Sequence, residues 1–288
     1  MSHGCRYDPI DRRDEETSMK IVRYRTPDEA PTIGVLLTDG VAPTGYTDMV
    51  EFLASGDAAL EVAQRAAETS ELIADYTLLA PLPNPGKMLF LGRSFRQFRK
   101  DLDDSDPVFV YARVASSVIG PGESIRMPGP DEHVLYEGEL LIVIGRAGRG
   151  IARSDAMDHV FGYTQVNDLT WTDWIHGERS DLPQITMCKN ADTFCPMGPY
   201  IVTRDAYDPT SVGFTVTVNG EVRTRGSMSD LVWSIPRIVE FLSKDMTLHP
   251  GDVIATGTSD AQPIVAGDTV VVEFDGLGEL ANPVVPGW

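Results

Sequence analysis

Two glutamates spaced two residues apart, Glu137 and Glu139, stand immediately before the apolar run Leu140-Leu141-Ile142-Val143-Ile144-Gly145. Beyond Glu139 the alternation puts Leu140, Ile142 and Ile144 on one face and Leu141 and Val143 on the other, the pattern of a strand covered on both sides. Residues two apart share a face of a strand, so the two carboxylates lie side by side at the mouth of that strand. Like charges held close and partly desolvated cannot both stay ionised without a compensating cation. Either one of the pair is protonated or a metal ion sits between them.

Other chemistry-bearing residues give weaker signals. Cys5, Cys188 and Cys195 are too few and too unevenly spaced for a disulfide framework or a zinc knuckle, which points to a reduced, cytoplasmic protein. The stretch Gly145-Arg146-Ala147-Gly148-Arg149-Gly150 has G-x-x-G-x-G spacing, not that of the dinucleotide fingerprint, and no P-loop lysine follows it. It reads as a turn from a strand into a helix capped by Ser154.

The elements that must position the glutamates belong to a chain of 288 residues, long enough for one large domain or one domain with a small partner. No apolar run approaches the ~20 residues needed to span a bilayer, and residues 1–18 are too polar for a secretory signal. A formal charge of -19 with pI near 4.5 repels nucleic acid and anionic lipid surfaces. These features predict a disordered leader over 1–18 and no nucleic-acid or membrane partner.

From residue 19 onward the pattern predicts a small α+β domain to about residue 80. Lys20 to Arg25 reads as a strand, and Thr32 to Leu37 with the turn Thr38-Asp39-Gly40 as a second one in a hairpin. Thr47 or Asp48 caps a short helix through Leu53, and Asp57 opens an Ala-rich helix through about Ala74. Pro81-Leu82-Pro83-Asn84-Pro85-Gly86 is too stiff for a helix and marks a linker. Strands dominate after Val108, with Asn219-Gly220 as a hairpin turn and one helix starting at Ser234 and Pro236.

The ordered series Tyr136-Glu137-Gly138-Glu139-Leu140, Gly162-Tyr163-Thr164-Gln165-Val166-Asn167-Asp168, Lys189-Asn190-Ala191-Asp192-Thr193-Phe194-Cys195-Pro196-Met197-Gly198-Pro199 and Pro250-Gly251-Asp252-Val253-Ile254-Ala255-Thr256-Gly257-Thr258 resembles the motifs of the fumarylacetoacetate hydrolase family. The resemblance implies a β-rich α+β protein whose catalytic domain, residues 84–288, is a mixed β-roll or barrel, and it implies a homodimer. It also implies one Mg²⁺ or Mn²⁺ held by Glu137, Glu139 and Asp168, hard oxygen donors of the kind those ions take. The substrate it implies is a small 2-oxo acid of the acylpyruvate type. Lys189 would act on the substrate, and Arg93, Lys189 and Thr258 would bind it.

The chain departs from the family at one place. Family hydrolases carry a histidine and a glutamate on a lid after the strand that ends at Gly92, and the aligned segment here is Ser94-Phe95-Arg96-Gln97-Phe98-Arg99-Lys100-Asp101. Phe98 replaces the histidine and cannot accept a proton; loss of a positioned general base typically lowers rate by about 10²–10⁴-fold. Asp101 is left as the acidic catalytic candidate, with His133 as a stand-in base. Residues 93–102 read as a charged helical lid with Phe95 and Phe98 on one side, closing over the substrate. The expected reaction is C–C bond hydrolysis, with isomerisation, tautomerisation or decarboxylation as the alternative favoured by the missing histidine, and a catalytically inactive metal-binding scaffold as a third.

Overall fold

The computed structural model describes residues 19–98, 103, 106, 108–176 and 179–287. Its centre is the strand Gly138–Ile144, in which all seven residues are buried. Antiparallel neighbours flank it on both edges: Val160–Asn167, with Leu140 opposite Gln165, and Val253–Ala255, with Ile142 opposite Ile254. The expected division of its faces holds, because Leu140, Ile142 and Ile144 belong to one apolar core and Leu141 and Val143 to another. Full burial of each such side chain contributes about 1.5–3 kcal/mol, which pins the register of the strand and of the carboxylates at its mouth.

Among the described residues the main sheet runs in the order Gly40–Pro43, Thr32–Leu37, Lys20–Arg25, Cys195–Thr203, Val160–Asn167, Gly138–Ile144, Val253–Ala255, Met88–Gly92, Phe109–Ala112. The strands before residue 80 therefore extend the same sheet, through the antiparallel pairing of Lys20 with Val202 and of Ile21 with Ile201. The helices Met49–Ala54 and Asp57–Thr69 pack Phe52, Leu53, Ala59 and Ala63 into the core that holds Leu141 and Val143. The other core lies against a second sheet, built around the hairpin of Gly213–Val218 and Glu221–Ser227. Asn219 and Gly220 take the positive φ angles of 54° and 79° that a two-residue turn demands. Gly138 allows this sheet to approach the carboxylates, since a Cβ there would lie 2.7 Å from Val216 Cγ2.

The strand-rich α+β character read from the sequence is what folds, and the mixed sheets stay open without closing into a barrel. Three local expectations need correction. The Ala-rich helix ends at Thr69 and not near Ala74, because Ser70 is extended and its N–H closes the helix on the Ala66 carbonyl. The helix expected after Ser154 is a 3₁₀ turn, Ala156–His159, that Ser154 does not cap. The helix expected over residues 93–102 does not form over 93–98: Arg93 has φ 58° and Phe95 bridges to Leu231. Phe95 is buried edge-on against Phe214 while Phe98 is 48% exposed, so the two rings do not share a side. Apolar contact with the second sheet outweighs the helical pattern of the segment. Asp101 lies outside the described residues. Among the described residues no helix is long and apolar enough to cross a membrane.

Candidate metal centre

Backbone pairing brings the acidic residues together. Gly138 pairs with Asn167, which sets Glu137 beside Asp168, and the Asp168 N–H donates to the Glu137 carbonyl at 2.8 Å. Glu139 follows on the same strand face. One carboxylate oxygen from each of Glu137, Glu139 and Asp168 lies within 4.8 Å of the others. Glu139 and Asp168 are buried and Glu137 is half-buried.

Lys189 closes the cluster from the last position of the helix Ile185–Lys189. Its ammonium lies 3.0 Å from Glu137 Oε2 and 3.1 Å from the Asp168 carbonyl, and it also donates to Asp168 Oδ2. Two residues that the sequence reading did not single out complete the arrangement. Arg113 pairs with Asp168 Oδ1, and the Tyr111 hydroxyl donates to Asp168 Oδ2. The Thr170 hydroxyl donates to Glu137 Oε1, and the Gly257 N–H to Glu139 Oε2 at 2.8 Å. Gly257 has φ 87°, and a Cβ there would lie 2.0 Å from Ser94 Oγ, so the close approach requires glycine.

The electrostatics separate the three acids. Burial alone would raise the Asp168 carboxyl, but Lys189 and Arg113 overrule it and hold Asp168 below the usual range. Glu139 has no such partner among the described residues, and burial together with the Asp168 and Glu137 charges pushes it well above that range. Glu137 is also raised by burial, with Lys189 opposing. Burial would lower Lys189, yet Asp168 and Glu137 reverse this and keep it a firm ammonium. Three carboxyls thus face two fixed cations, Lys189 and Arg113, which pair with Asp168 and Glu137 and make no direct pair with Glu139. Three oxygen donors, no nitrogen or sulfur among them, and a buried carboxyl with no directly paired cation among the described residues fit a hard divalent cation.

The remaining sequence candidates are dispersed. Arg93 is exposed on the turn after Met88–Gly92 and has no side-chain partner among the described residues. Thr258 is buried next to Gly257, and its hydroxyl donates to the Asp260 carbonyl at 2.9 Å, a turn contact. His133 is not part of the donor set; its Nδ1 lies 2.8 Å from Asp173 Oδ1. Burial pushes the thiols of Cys188 and Cys195 up to about 12, so neither is a ready nucleophile. Arg113 and Tyr111 did carry one legible signal: they too are spaced two apart beside a strand.

Comparison with known proteins agrees with this architecture. The family described as fumarylacetoacetate (FAA) hydrolase C-terminal matches residues 90–285. The oxaloacetate tautomerase fahd2 of Xenopus laevis, a mitochondrial protein, is 36% identical over 93% of this chain and 91% of its own. A maleylpyruvate hydrolase from Sphingobium sp. SYK-6, solved with manganese(II) and pyruvate, superposes with a TM-score of 0.80 at 29% identity, covering 94% of this chain and 100% of that one. The 2-hydroxyhepta-2,4-diene-1,7-dioate isomerase of Mycobacterium marinum superposes with a TM-score of 0.74 at 31% identity, over 93% of this chain and 99% of that one. Sequence motifs, carboxylate cluster and fold all agree with these matches, and the chain belongs to the fumarylacetoacetate hydrolase family of enzymes.

Proposed function

We propose that this enzyme catalyses the keto–enol interconversion of a small 2-oxo diacid, with Glu137, Glu139 and Asp168 holding one Mg²⁺ or Mn²⁺ and Lys189 facing the substrate. The observation that carries this reading is the make-up of the cluster: a buried ammonium touching two of three carboxylates, and no histidine in the donor set. A keto–enol shift moves one proton between carbon and oxygen, whereas C–C hydrolysis also needs a water activated for attack. The 36% identity to an oxaloacetate tautomerase supports the diacid.

When bound, the divalent ion supplies Lewis acidity toward the 2-oxo and carboxylate oxygens of the substrate. Lys189, held as an ammonium, stabilises negative charge developing on the enolate oxygen, an effect strengthened by its burial. Arg113 fixes Asp168 and the Lys189 carbonyl, so ligand and ammonium are oriented by one guanidinium. Thr258 is the proposed contact for the near carboxylate and Arg93 for the far one. Asp101 is the proposed carrier of the carbon-bound proton. The proposed working form is a cytoplasmic homodimer, supported by Phe109 and Val114, which are 49% and 46% exposed beside the edge strand of the main sheet.

C–C hydrolysis of an acylpyruvate is the second reading, favoured by the full-length superposition on a maleylpyruvate hydrolase. The two are separated by following enol absorbance of oxaloacetate and cleavage products of an acylpyruvate, with Mg²⁺ and with chelator. Metal-dependent enol loss without acylpyruvate cleavage is the expected result. Cleavage turning over at about 1–10³ s⁻¹, typical of enzymes, with no effect on oxaloacetate would support the hydrolase reading.

A further inference from the structure

The backbone around Lys189 is fixed on both sides. Its carbonyl accepts from Arg113, and the side chain of the next residue, Asn190, accepts from the Val114 N–H at 2.8 Å and donates to the Thr186 carbonyl at 3.0 Å. From that anchor the ammonium reaches Glu137 Oε2 at 3.0 Å and touches Asp168 Oδ2, so it stands on two of the three carboxylates that form the donor set. The Lys189 side chain is 8% exposed, and water does little to screen its charge. Arg113 lies on the other oxygen of Asp168 and is tied to the carbonyls of Lys189 and Phe194, which makes it part of the frame. The remaining contacts of the glutamates are neutral: the Thr170 hydroxyl on Glu137 Oε1 and the Gly257 N–H on Glu139 Oε2. Lys189 is thus the one cation, among the described residues, that touches two members of the donor set.

Charge balance then sets Lys189 against the ion. With all three acids ionised, Lys189 and Arg113 leave the cluster one negative charge, and a divalent ion turns that into one positive charge. An unbalanced charge of either sign is costly in a buried site. The ion also shares Glu137 and Asp168 with the ammonium, and like charges on shared ligands repel. A carboxylate on an incoming acid brings the missing negative charge. We infer that Lys189 is a built-in competitor of the divalent ion, relieved by the carboxylate of the incoming acid, so that metal and acid each tighten the other through this one ammonium. The inference rests on the proposed metal site and goes beyond it to how that site is filled: loosely by the ion alone, tightly when the acid is present. By linkage the factor is the same in both directions.

The test is calorimetric titration of the full-length protein with Mg²⁺, with and without saturating pyruvate, in the wild type, Lys189→Gln and Lys189→Arg. Glutamine keeps a hydrogen-bond donor and removes the charge, whereas arginine keeps the charge. Without pyruvate, Lys189→Gln should bind Mg²⁺ about tenfold more tightly than the wild type, and Lys189→Arg should bind it no more tightly. Pyruvate should tighten Mg²⁺ binding by about tenfold or more in the wild type and by less than about threefold in Lys189→Gln. A glutamine variant that binds Mg²⁺ no better than the wild type, or an equal effect of pyruvate on both, would overturn the inference while leaving the metal site in place. So would a wild type whose Mg²⁺ affinity pyruvate leaves unchanged, an outcome that does not depend on how well any variant folds. Failure of the metal site itself looks different: neither the wild type nor Lys189→Gln would bind Mg²⁺ or Mn²⁺ under any of these conditions, and the inference would fall with it.

Discussion

Arg113 and Asp168 form an ion pair in which both side chains are fully buried, and the same guanidinium ties down the carbonyls of Lys189 and Phe194. Removing one partner of a buried pair costs about 3–5 kcal/mol when the other charge is left uncompensated, and Lys189 and Tyr111, which also hold Asp168, set that as the upper end here. Arg113→Met should therefore lose stability of that order in urea unfolding. Arg113→Lys should recover only part of it, because an ammonium cannot span a carboxylate and two carbonyls as the planar fork does. A methionine variant as stable as wild type at neutral pH would mean that Lys189 alone compensates the Asp168 charge.

The metal centre has a pH signature whose sign follows from the opposed shifts of its acids. Glu139 is raised in the folded protein, so its contribution to stability is full below the ordinary glutamate value of about 4.3 and is lost as pH rises through the elevated folded value. Asp168 is depressed, so its contribution is present above about 3.9 and disappears only as pH falls through the lower folded value. A divalent ion needs Glu139 ionised. The rise in melting temperature on adding Mg²⁺ should thus be small near about pH 5 and grow toward about pH 8. Scanning calorimetry that found the rise shrinking over that interval would place the binding elsewhere.

Gly257→Ala tests the support of Glu139 from the backbone. The left-handed φ of 87° and the 2.0 Å approach to Ser94 Oγ should together cost about 1–3 kcal/mol and weaken Mg²⁺ binding. Gly267→Ala is the control, since φ there is 99° but a Cβ meets nothing within 4 Å. Thermal melts with and without Mg²⁺ should show a loss of metal response only in the first variant. Equal metal response in both would make the Gly257 N–H dispensable.

Cys188 and Cys195 should resist alkylation. Both thiols are pushed up to about 12 by burial, so the reactive thiolate is scarce at pH near 8 and the sulfurs are covered. Peptide mass spectrometry after iodoacetamide treatment should find them modified in urea and unmodified in the native protein. Rapid native labelling of Cys188 would reopen a nucleophilic role beside Lys189.

Much of this architecture is legible in the sequence because the signals are local. The two-residue spacing of Glu137 and Glu139, the doubly apolar run after them and the Asn219-Gly220 turn each encode their geometry within a few residues. Arg113 and Tyr111 showed only a two-residue spacing, and their role stayed hidden because it depends on a sheet order that carries their strand to Asp168 across 55 and 57 residues of sequence. The strand Phe109–Ala112 also lacks a clean alternation of burial. The lid misled for a related reason: Phe95 and Phe98 are three apart, as on a helix face, but the second sheet offered Phe95 a buried place against Phe214.

In the proposed reaction the carboxylate cluster and Lys189 move a proton on the carbon next to a 2-oxo group. Proton NMR in heavy water reads this directly, as the rate at which deuterium enters C3 of oxaloacetate. Fast, Mg²⁺-dependent exchange is expected of the wild type, with a loss of about 10²–10³-fold in Lys189→Met and metal binding by that variant no weaker than in the wild type. Exchange that is equally fast in Lys189→Met, or a wild type that cleaves an acylpyruvate while leaving C3 of oxaloacetate unexchanged, would contradict it.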